Sequence, residues 1–129
     1  MITRESLKQQ GEAMRQRLFG DDDGAPAFMR TLNTEASYGA IWSRPGLSMR
    51  DRRLLLLGLL TGQGLQDVAD IQIGAALRSG ELSPDELREI AIFLTHYAGW
   101  PTGARLSMQV EKLVGEHARA GRRDPEPDS

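Results

Sequence analysis

The sequence predicts an all-α protein, a single domain of about six helices. Two observations carry this. Apolar residues recur at helical spacing between Gly and Pro punctuation, while short β-branched runs with period-two alternation and hairpin-type turn dipeptides do not occur. The length, 129 residues, suits one ordinary domain.

The first helix is expected over about residues 3–19, with Leu7, Met14 and Leu18 at helical spacing, stopping at Gly20. Asp21-Asp22-Asp23-Gly24 reads as a solvated turn. A second segment over about 26–40 carries Phe28, Met29, Leu32 and Tyr38, with a weaker pattern. Trp42-Ser43-Arg44-Pro45-Gly46-Leu47 is a turn, because Pro45 disfavours the α conformation at Arg44. Ser48 then caps a third helix, with Asp51 three residues on in a near-capping-box position. That helix holds Leu54-Leu55-Leu56-Leu57-Gly58-Leu59-Leu60, apolar on all faces, so it is either buried in a core or shared between subunits.

Gly62 and Gly64 end the third helix, and a fourth is expected over about 65–78. Ser83-Pro84-Asp85-Glu86 is the clearest start signal: Ser83 as N-cap, Pro84 at the first helical position and Glu86 closing a capping box. The fifth helix ends at Gly99, and Pro101 opens a sixth that runs to about 118. The domain is therefore expected over 1–120. Residues 121–129, with two prolines among charges, bury too little apolar surface to offset ordering and are expected to be a disordered tail.

Composition removes several chemistries. There is no cysteine, which excludes disulfides, thiolate metal sites, Fe–S clusters and thiol-based redox catalysis. Sixteen Lys plus Arg against 18 Asp plus Glu give a net charge of −2, without the basic footprint of a nucleic-acid binder. No apolar run approaches the roughly 18 residues of a membrane-spanning helix, and the first residues do not read as a signal peptide. A cytoplasmic location is the expectation that remains.

The residues able to do chemistry are few. His117 lies in a charged stretch and reads as surface, whereas His96, beside Tyr97 and ahead of Ala98-Gly99-Trp100-Pro101, is either a hydrogen-bonded helix-edge residue or a pocket residue titrating near neutral pH. Two separated histidines and no cysteine offer no zinc or di-iron pattern, so no metal is expected. Gly62-Gln63-Gly64 lacks the strand and third glycine of a nucleotide loop. Arg50, Arg52 and Arg53 read as a solvated first turn with intersubunit ion pairs, or as anion anchors. Arg44, pinned by Pro45 beside Trp42, is the stronger anion-binding candidate, with a structural arginine on helix-end carbonyls as its alternative.

Taken in order, several segments resemble the carboxymuconolactone decarboxylase family, with its alkylhydroperoxidase D-like relatives. They are Gly11 to Gly20 (GEAMRQRLFG), Tyr38 to Leu47 (YGAIWSRPGL), the Arg-rich leucine helix, Ala75-Ala76-Leu77-Arg78-Ser79-Gly80, Leu82 to Glu89 (LSPDELRE) and Tyr97-Ala98-Gly99-Trp100-Pro101. The resemblance covers about residues 10–115. It implies an alkylhydroperoxidase D-like helical fold and a ring-like homo-oligomer, a trimer or hexamer, with pockets near subunit contacts. The activity it implies is release of CO2 from a small carboxylated unsaturated lactone, as in aromatic catabolism, with no metal or organic cofactor.

Two positions depart from the family pattern. Gln72 stands where the decarboxylases usually carry a histidine, and Gly74 where they usually carry an arginine. A glutamine amide hydrogen-bonds but does not transfer protons near pH 7. The Cys-x-x-Cys pair of the peroxidase branch is missing, so thiol peroxidase activity is excluded. The expected roles are therefore Arg44, Trp42 and Trp100 in substrate binding, and Gln72, His96 and Tyr97 in catalysis. Three functions stay open: a decarboxylase-like lyase, a family member diverted to isomerisation or ring closure, and a binding homologue without turnover. The small-molecule substrate is the one partner expected besides further copies of the chain, with no nucleic acid or membrane.

Overall fold

A computed structural model of the chain describes residues 3–20 and 26–123. The expected turn at 21–24, the apolar side chains expected at Phe28 and Leu32, and the segment 124–129 lie outside the described residues. The helices are α1 (Arg4–Phe19), α2 (Ala27–Leu32), a π-wound segment (Asn33–Trp42), α3 (Met49–Gly62), α4 (Gln66–Ser79), α5 (Pro84–Ala98) and α6 (Trp100–Arg123). No strand occurs among the described residues, so the protein is all-α.

Local signals set most helix ends. Thr3 Oγ1 accepts from the Ser6 amide at 3.0 Å and caps α1. Gly20 ends it with φ +68, a conformation that favours glycine. Ser48 Oγ accepts from the Asp51 amide at 3.0 Å at the start of α3. At α5 the capping box is complete: Ser83 Oγ accepts from the Glu86 amide at 3.1 Å, and Glu86 Oε1 accepts from the Ser83 amide at 3.0 Å.

Two expectations change. The weakly patterned second segment becomes a short α-helix that widens into π-winding from Asn33 to Trp42, and the sixth helix runs to Arg123 rather than stopping near 118. Its final turns are charged and exposed, so propagation of backbone hydrogen bonding carries the helix beyond its apolar face.

The chain forms two compact units, Met1–Leu56 and Leu57–Ser129, with the boundary inside α3. In the first, α1 packs along the π-wound segment. The approach is close enough that a Cβ on Gly11 would overlap the Thr34 backbone carbonyl, and one on Gly39 would overlap the Leu7 carbonyl. Phe19 and Tyr38 meet edge to face, ring centroids 5.6 Å apart. Arg53, fully buried at 0% exposure, donates from Nη2 to the Leu18 carbonyl at 3.2 Å, with its guanidinium 6.0 Å from the Phe19 ring centroid.

In the second unit, α6 packs against both α4 and α5. The buried residues Ile73, Ala76 and Leu77 of α4, Leu87 and Ala91 of α5, and Leu106 and Val110 of α6 form its core. Arg88 on α5 holds α6 through a two-pronged pair to Glu111, with Nε to Oε1 at 2.6 Å and Nη2 to Oε2 at 3.2 Å. A second bond runs from Arg88 Nη1 to Asp85 Oδ1 at 3.0 Å.

Two outcomes follow from this packing. Gly39→Ala places a methyl against backbone oxygen rather than against a side chain that moves aside, and should cost about 1–3 kcal/mol in urea unfolding. The hydrogen bond from Arg88 holds the Glu111 carboxyl below its ordinary range. A carboxyl depressed in the folded state contributes stability above its unfolded pKa and loses that contribution as pH falls through the folded value. Glu111→Gln should therefore lower the melting temperature at neutral pH, and the difference from the parent should fade as pH falls below the ordinary carboxylate range and shrink in high salt.

Candidate functional site

The candidate residues fall into three places. Trp42 and Arg44 stand in the turn before α3, in the first unit. Trp42 is half-buried and Arg44 exposed. This turn is built by Arg52, whose Nη1 donates to the Arg44 carbonyl at 2.8 Å, the Leu47 carbonyl at 2.6 Å and the Trp42 carbonyl at 3.4 Å. Ser43 Oγ adds a bond to the Tyr38 carbonyl at 2.7 Å. Pro45 is thus one of several restraints on Arg44, and the solvated first turn expected of the arginine cluster is corrected for Arg52 and Arg53, while Arg50 is exposed. Arg52 ties down the turn and Arg53 is fully buried, because each guanidinium serves carbonyls that only the folded chain brings into reach.

His96, Tyr97 and Trp100 share the far end of the α5–α6 pair. All are exposed, Tyr97 at 79% and Trp100 at 74%. Tyr97 stacks obliquely on Phe93, centroids 5.1 Å apart. His96 Nδ1 lies 3.0 Å from the Ile92 carbonyl, one turn back. A carbonyl only accepts, so in this bond Nδ1 is the donor and Nε2 keeps its lone pair. The helix-edge hydrogen bond expected for His96 is present, and the residue is exposed.

Gln72 is not on that surface. It lies in the middle of α4 at 7% exposure. His117, the other histidine, is exposed on α6. Among the described residues no group of three His, Asp or Glu side chains is placed to hold a metal ion, and no helix is long and apolar enough to cross a membrane. Leu57 and Leu60 of the leucine run are buried while Leu55 and Leu59 are exposed. The helix apolar on all faces therefore has one face in the core and another uncovered.

A further polar feature escaped the sequence reading. In the second unit, Leu60, Thr61, Gly64, Gln66, Ala69, Thr102, Arg105, Leu106 and Gln109 line a recess of about 30 Å³. Gln66 and Gln109 also line an adjoining open groove of about 690 Å³, together with Asp67, Asp70, Met108 and Lys112. The amide of Gln109 is fixed, its Nε2 donating to the Gln66 carbonyl at 2.8 Å and to Asp70 Oδ1 at 3.2 Å. The available signal was Gln109 itself, a polar residue beside Leu106, Val110 and Leu113 on the buried side of α6.

Comparison with known proteins gives the chain its relatives. The sequence model of the carboxymuconolactone decarboxylase family matches residues 26–107. A nitrosuccinic acid decarboxylase from Metarhizium robertsii is 30% identical over 90 residues, which take in 70% of this chain and 62% of that protein. A 4-carboxymuconolactone decarboxylase from Acinetobacter baylyi is 34% identical over 77 residues, 60% of this chain and 57% of that protein. The chain thus spans about six-tenths of the length of the curated relatives it matches.

Proposed function

The chain belongs to the carboxymuconolactone decarboxylase family, and from this premise we propose that it is a decarboxylase-like lyase acting, without a cofactor, on a small carboxylated lactone or a related unsaturated acid. Both relatives are named for decarboxylation, one of a nitro-substituted dicarboxylic acid and one of a carboxylated lactone. The observation that carries the reading is His96. Its tautomer is held by the Ile92 carbonyl and its free nitrogen is exposed next to Tyr97.

Decarboxylation of this kind needs an anchor for the carboxylate, relief for the negative charge that develops as the bond breaks, and a proton for the carbon left behind. Arg44 supplies the anchor, a guanidinium pairing two-pronged with a carboxylate. The C–C bond to the carboxyl group breaks, CO2 leaves, and its bonding electrons pass into the adjacent unsaturated carbonyl system as an enolate. Gln72, expected at that oxygen, is buried in the middle of α4, away from the exposed His96, so no described side chain is assigned to it. His96, protonated at Nε2, hands its proton to the carbanionic carbon and is recharged from water, with Tyr97 alongside it in the relay. Trp100, exposed at the same end of the α5–α6 pair as His96, offers an apolar face that keeps water from the charge.

His96, Tyr97 and Trp100 are exposed in a single chain, together with Ile92 and Phe93. The proposal therefore includes a homo-oligomer, a trimer or hexamer, in which another copy covers this aromatic surface and completes the site. A specific observation favours a second reading: Gln72, at the family's histidine position, is buried and cannot move a proton, as in a binding homologue without turnover. Release of CO2 separates the two.

Arg44→Ala and His96→Gln should each lower CO2 release from a carboxylated lactone by at least about 100-fold, with helicity by circular dichroism unchanged. Full activity in both variants would remove these role assignments.

A further inference from the structure

We infer that the corner formed by the end of α3, the start of α4 and the first turns of α6 is a binding site for the carboxylate head of a small organic acid. It is built from residues none of which is assigned to turnover. Thr61 is central to the site. This threonine is 7% exposed, and its Oγ1 has no hydrogen-bond partner among the described residues. Buried hydroxyls are normally satisfied, and an orphan on a residue that lines a cavity marks a place where something else bonds. Thr61 lines the recess, and the Thr102 hydroxyl lines it too.

The charge at the recess is supplied by Arg105, which is exposed and makes no ion pair with a described residue. The start of α4 adds to it. Leu65 occupies the N-cap position and gives no side-chain cap, so the first-turn amides of α4 lack the acceptor that a Ser or Asp would provide. A helix N-terminus of this kind favours an anionic group. Gln109 contributes shape rather than donors, since its amide nitrogen already serves Gln66 and Asp70.

Size decides between anions. About 30 Å³ is room for roughly one or two waters, which suits the two planar oxygens of a carboxylate better than a tetrahedral phosphate. The body of the acid then lies in the adjoining groove, where Met108 offers an apolar contact. Asp67 and Asp70 in the same groove disfavour a second negative charge there unless it reaches Lys112. The preferred ligand is a small monocarboxylate, or a dicarboxylate long enough to span from Arg105 to Lys112.

The test is ligand-observed NMR on the full chain, with acetate and inorganic phosphate as separate probes at constant ionic strength. Acetate should show saturable line broadening, at least tenfold weaker in Thr61→Val and in Arg105→Gln, and kept in Thr61→Ser, which restores the hydroxyl. Phosphate should bind more weakly than acetate. No saturable acetate binding, or equal binding by the Thr61→Val and Arg105→Gln variants, overturns the site, and preference for phosphate overturns the carboxylate assignment. His96→Gln should bind acetate like the parent. A protein that binds acetate here yet releases no CO2 contradicts the proposed turnover while leaving this site standing.

Discussion

The second unit depends on the passage of α6 over α5 at Gly103. A Cβ there would lie 2.6 Å from the Thr95 Cβ and 2.7 Å from its Cα, so nothing larger than glycine fits while the helices keep this spacing. Thr95 is buried at the crossing and returns its hydroxyl to the Ala91 carbonyl at 2.7 Å. Gly99, at φ +99, lets the chain reverse immediately before it. With that register fixed, everything nearby takes its direction. Thr95 points in, so His96 and Tyr97 point out. Gly103 faces α5, and Leu106 and Val110 are drawn into the core below it. Thr102, Arg105 and Gln109 are then left on the recess that α6 shares with α3 and α4.

The first unit rests on the same device and on two arginines. Gly11 and Gly39 let α1 and the π-wound segment approach backbone to backbone. Arg52 and Arg53 both donate from their guanidinium groups to main-chain carbonyls. Arginine suits this work because its planar fork reaches several acceptors at once and tolerates partial dehydration against an aromatic face. Burying Arg53 completely is costly unless its donors are met. It is also what separates its structural role from that of Arg44, whose side chain stays exposed.

What the sequence made legible were features decided within a few residues. The caps at Ser48 and Ser83, the stops at Gly20 and Gly99, and the absence of strands among the described residues all follow from local chemistry, and they suffice for the fold class. Features decided by distant neighbours were hidden. Nothing local distinguishes Arg53, buried, from Arg50 three residues earlier, nor foretells that the helix before Trp42 unwinds to π-geometry. The same limit applies to the site. His96 and Tyr97 were visible as chemistry, and the structure adds the Ile92 carbonyl that fixes the imidazole tautomer. Thr61, Thr102 and Arg105 were invisible, because a threonine on an apolar helix and an arginine on a charged one carry no local mark until α3, α4 and α6 bring them to one recess.

Whether this fold, with glutamine at position 72 and no cysteine, removes a carboxyl group is decided by incubating the unmodified protein, without added metal, with an unsaturated lactone labelled with carbon-13 at the carboxyl group, against a protein-free control. Labelled CO2 should be released in step with loss of substrate and well above the control. Label retained in the substrate, or in an isomer of it, would contradict the proposed decarboxylation.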